Sequence, residues 1–179
     1  MAEARIPVFC NAQVSAETLN HFFQQANEET HRKCFDYPMS FLMVSTRVPE
    51  DVDQHCTAPP VDGNGIEHNP FKDMSTEDLI EWAQKNLGRS GLSKDNMVIL
   101  DDLTAQDETC ILVSLKDLPD DELPDGMDKW IIIRSDFESS IISLMTKETG
   151  VGGDDHLDTD YEGSDGVLRN TIKNRERVV

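Results

Sequence analysis

Met97-Val98-Ile99-Leu100, Cys110-Ile111-Leu112-Val113-Ser114-Leu115 and Trp130-Ile131-Ile132-Ile133-Arg134 follow one another closely in the second half of the chain. Each run is short, apolar and rich in β-branched residues, the composition of a strand. The link between the first two is too short to hold a crossover helix, so that pair reads as antiparallel. All three then read as neighbours in one sheet.

The pattern changes upstream. Ile6 to Phe9 reads as a strand. Leu19, Phe22, Phe23 and Ala26 then recur at i, i+3, i+4 and i+7, which paints one face of a helix from about Ala16 to Lys33, with Ser15 as its N-cap. A strand between Pro38 and Pro49 follows, over Ser40 to Thr46. Ser75-x-x-Asp78 is a capping-box variant that opens a second helix to about Leu87, with Gly88 as its stop. Residues 47–74 lie between these elements. Their four prolines and the run Asp62-Gly63-Asn64-Gly65 make them one long loop. Downstream of the three strands, Ser135-x-x-Glu138 reads as the capping box of a last helix to about Lys147.

The order β-α-β-loop-α-β-β-β-α predicts an α/β domain, with α+β as the alternative class. It has a mixed sheet of about five strands and three helices over residues 1–149. Residues 150–179 read as a flexible tail, acidic first and basic at its end. Gly150 to Gly166 is rich in Gly and Asp and too poor in apolar side chains to offset the entropy of ordering it.

The 179 residues carry 35 Asp+Glu against 16 Lys+Arg, a net charge of −19. Such a field argues against direct binding to nucleic-acid phosphate, which needs clustered Lys and Arg, and against an anionic membrane surface. The charge is uneven. Residues 95–128 hold 11 acids and one base, with Asp120, Asp121 and Glu122 in the densest part. Leu118 and Leu123 interleave with those acids as apolar anchors. No apolar run reaches the length of a membrane helix, and no secretory leader is evident. Cys10, Cys34, Cys56 and Cys110 are scattered, without a C-x-x-C pair. The reading is a cytoplasmic protein with reduced thiols, Cys10 and Cys110 serving as small core hydrophobes.

Asp101-Asp102 follows the run Val98-Ile99-Leu100, and strand ends are where α/β proteins place carboxylates for Mg²⁺ or phosphoryl chemistry. The Asp-x-Asp-x-Thr of haloacid-dehalogenase-type phosphatases is missing, since Leu103 and Ala105 stand where its second Asp and its Thr would be. A receiver domain needs two helices and a strand between its acidic pair and its phospho-acceptor strand, and there is no room for them here. The plain reading is a solvated turn with Asp102 as its Asx residue. Asp158-x-Asp160-x-Glu162-Gly163 has the spacing of half an EF-hand loop, but the twelfth position is Arg169 in place of a bidentate Glu. His31, Cys34, His55 and Cys56 are ligand types without diagnostic spacing. There is no G-x-S-x-G, H-E-x-x-H, Walker A or G-x-G-x-x-G motif. No cofactor is called for.

The stretch Met97 to Val113, an apolar strand, an acidic turn with Thr104, then Asp107-Glu108-Thr109 and a second apolar strand, resembles a pattern in small uncharacterised fungal proteins. In those proteins a third strand ending in Arg follows, as Trp130 to Arg134 does here. The resemblance spans residues 75–137, is structural in character, and implies no catalytic residue.

Two functional expectations follow, beside a third in which the 154–165 tail, through Asp158, Asp160 and Glu162, binds Mg²⁺ or Ca²⁺ in a regulatory role. The first is a non-enzymatic acidic module that binds a basic protein partner through residues 95–128. The rival is an enzyme, or an accessory protein of a small-molecule biosynthetic pathway, with a site at the sheet edge near Asp101, Asp102 and the 47–74 loop. There Arg134 would hold an anionic substrate. The sequence does not specify an oligomeric state.

Overall fold

The computed structural model describes residues 5–34, 41–52, 55–61, 69–87, 91–117, 128–148, 157 and 163–169. The elements are β1 (Ile6–Cys10), α1 (Ala16–Cys34), β2 (Phe41–Met43), a 3-10 turn (Pro49–Asp51), α2 (Thr76–Asn86), β3 (Asn96–Leu100), a one-turn helix α3 (Thr104–Asp107), β4 (Thr109–Leu115), β5 (Trp130–Asp136), α4 (Phe137–Glu148) and β6 (Val167–Leu168). The fold is α/β, with a six-stranded mixed sheet in the order β2-β1-β3-β4-β5-β6. β1 lies parallel to both β2 and β3, and β3, β4 and β5 form the antiparallel meander read from the sequence.

Strand alternation divides the core between two faces. Ile6, Val8, Cys10, Val98, Leu100, Cys110 and Leu112 face α1 and α4, where Leu19, Phe22, Phe23, Phe137, Ile141 and Leu144 complete one buried cluster. Phe22 is its aromatic hub, stacked on Phe41 at 5.6 Å and edge-on to Phe137 at 5.2 Å. Phe9, Leu42, Met97, Ile99 and Val113 face the other way, against Leu79, Ile80, Ala83 and Leu87 of α2. α1 and α2 therefore cover opposite faces, as in a doubly wound sheet.

The helix caps follow local chemistry. Ser15 Oγ accepts from the Thr18 N–H at 3.1 Å at the start of α1. Ser75 and Asp78 form the reciprocal capping box of α2. At α4 the cap moves by one residue. Asp136 Oδ1 accepts from the Ser139 N–H at 2.8 Å, while Ser135 remains in β5 opposite Cys110. The strand runs two residues further than its apolar run suggests, because Ser135 and Asp136 still find ladder partners in Cys110 and Thr109.

Two stretches read as irregular are packed where they are described. In the 47–74 loop, Thr57 joins the open side of β2, its hydroxyl accepting from the Met43 N–H at 2.8 Å and its N–H reaching Phe41 O at 2.9 Å. Polar groups of the strand edge are satisfied there. Val52 and Phe71 are buried. In the expected tail, Val167–Leu168 adds to the sheet parallel to β5, and Leu157 and Leu168 enter the core beside α4. The tail reading is corrected for these residues. The apolar pair follows a turn in which Gly166, at φ +72°, takes a left-handed conformation. Sheet pairing supplies what local composition does not. Among the described residues, no helix is long and apolar enough to cross a membrane.

Candidate functional site

The chain goes from β1 outward to β2, then back across β1 to β3. In an open α/β sheet such a reversal marks the crevice where ligands bind, outside the carboxyl ends of the strands. Here the β1 side of that position is occupied by the turn before α2. Asn69 Nδ2 donates to Cys10 O at 2.7 Å and to Ala12 O at 3.0 Å, and its own Oδ1 accepts from the Phe71 N–H at 3.0 Å. Asp73 N donates to Asn11 O at 2.7 Å, and Asn11 Nδ2 returns a bond to Met74 O at 3.1 Å. The end of the long loop is thus tied to the end of β1.

On the β3 side stands Asp101. It, rather than Asp102, is the Asx residue of the turn, since its Oδ1 accepts from the Leu103 N–H at 3.2 Å. Thr104, fully buried, donates its hydroxyl to the same oxygen at 3.1 Å and accepts from the Asp101 N–H at 2.8 Å. Those reciprocal bonds close the turn that leads into α3.

β5 supplies the third partner. Ile111 pairs with both Ile99 and Arg134, so Arg134 lies on the same face as Asp101, two strands further out with β4 between them. Its guanidinium meets the Asp101 carboxylate fork to fork, Nη1 to Oδ1 at 3.2 Å and Nη2 to Oδ2. Nη1 also donates to Thr109 Oγ1 at 2.8 Å, and that hydroxyl donates to Asp107 Oδ1 at 2.7 Å. The side chains of Arg134 and Asp101 are only 21% and 18% exposed. A bidentate charge-assisted pair in this setting is strong and geometrically fixed.

The structure therefore brings Asp101 and Arg134 together. Asp102 is exposed, and its carbonyl accepts from Gln106 Nε2 at 3.1 Å. Thr104 and Thr109, which complete the network, are not singled out by the sequence. The signal for them was the pattern Asp101-x-x-Thr104 and Asp107-x-Thr109, the spacings at which a hydroxyl reaches a nearby carboxylate. Asp120, Asp121, Glu122, Asp158, Asp160 and Glu162 lie outside the described residues, as do the side chains of His31 and Cys34. Arg169, where an EF-hand would have its last carboxylate, holds Asp165 with two bonds of 2.8 and 2.7 Å. Among the described residues no group of His, Cys, Asp or Glu is disposed to hold a metal ion.

Nucleophile chemistry finds little support at the thiols. Burial pushes the Cys10 thiol up to about 12 and raises that of Cys110 further, so the reactive thiolate is suppressed at both. Cys10 pairs with Leu100, and the β3–β4 register sets Cys110 on the other side of Leu100, so the two thiols stand two strand spacings apart, too far for a disulfide.

Comparison with protein-family models, with curated proteins and with solved structures found no match.

Proposed function

We propose that this protein is a non-enzymatic acidic module that docks a basic protein partner. The observation that carries the reading is the commitment of Asp101 and Arg134 to each other. A catalytic carboxylate needs a free lone pair at the reacting atom, and a substrate-binding arginine needs a free fork. Here the fork is matched to Asp101, and the carboxylate accepts from Arg134, Thr104 and the Leu103 amide. The alternative, an enzyme or accessory protein with its site at this pair, would first have to break it.

The charge supplies the positive half of the argument. Residues 95–128 carry a net charge of −10 within a chain of −19. A field of that sign steers basic partners and repels polyanions.

The test is capture of a partner by the full chain at low and high salt, repeated with Asp120→Lys, Asp121→Lys and Glu122→Lys combined. Binding that falls with salt and is lost on charge reversal is the expected result. A partner whose binding survives both treatments would overturn the reading, as would an exclusively anionic one.

A further inference from the structure

We draw no further inference here: the strongest candidate, the apolar surface patch around the exposed Ile132 on the outer face of β4 and β5, is an unpartnered sheet face, and nothing in the structure shows what covers it.

Discussion

Arg134 on β5 reaches past the whole width of β4 to clasp Asp101 at the end of β3. The pair ties the end of β3 to β5 across β4. Removing either partner leaves the other charged and mostly buried. Arg134→Ala and Asp101→Ala should each cost about 2 kcal/mol in urea unfolding. The double variant should cost less than their sum by about 1–2 kcal/mol. Arg134→Lys should rescue only part, because a point charge does not reproduce the fork. Additive losses would show that the two residues act independently.

Leu168 is fully buried although it belongs to a two-residue strand. Leu168→Ala should destabilise the protein by about 2–4 kcal/mol through lost burial and the cavity left behind. Val48→Ala, at a site 48% exposed, should change stability by less than about 0.5 kcal/mol. Equal, small effects would mean that β6 contributes nothing to the folded state.

The serines of α4 differ in a way that stability measurements can read. Ser140 is buried, and its hydroxyl donates to Phe137 O at 2.7 Å. Ser143 Oγ is buried without a hydrogen-bond partner among the described residues. Ser140→Ala should cost about 0.5–1 kcal/mol, while Ser143→Ala should be neutral or stabilising by up to about 1 kcal/mol. The reverse order would mean that Ser143 is satisfied by an ordered water.

Asp136 and Asp165 should give opposite pH dependences. Burial raises the Asp136 carboxyl above its ordinary value of 3.8, against the bond from Ser139. A raised acid binds its proton more tightly in the folded state. Its contribution to stability is therefore unchanged below the unfolded value and declines as pH rises past it. Asp136→Asn keeps a capping oxygen and removes the charge, so its stability relative to wild type should improve from pH 3 to pH 7. The bonds from Arg169 hold Asp165 down at about 2. Its contribution is present above 3.8 and is lost as pH falls toward 2, so the deficit of Asp165→Asn should vanish in strong acid. Urea unfolding across this range reads both signs.

The sequence revealed elements wherever local periodicity and core packing agree. The helical stripe of Leu19, Phe22, Phe23 and Ala26, the Ser75–Asp78 box and the three clustered strands all appear in the fold. It failed where tertiary pairing outweighs composition. Val167–Leu168 stands among glycines and aspartates, and only the free edge of β5 makes it a strand. Ser135 and Asp136 are both good caps, and the choice between them depends on how far β4 continues opposite. Asp101 and Arg134 were each noticed, but their meeting follows from two registers that no local pattern encodes.

The strand order also bears on how the molecule assembles. Ile99 pairs with Ile111 and Leu112 with Ile133, partners close in sequence, whereas Val8 must find Val98 across some ninety residues. Closing the longer loop costs more chain entropy, and it yields pairing only once β3 is in place. The meander that carries Ile132 and the Asp101–Arg134 clasp is thus the natural nucleus, with β1 and β2 joining a surface already formed. In pulse-labelled refolding, the amides of Leu112 and Ile133 should gain protection before those of Val8 and Phe9, and simultaneous protection would count against that order.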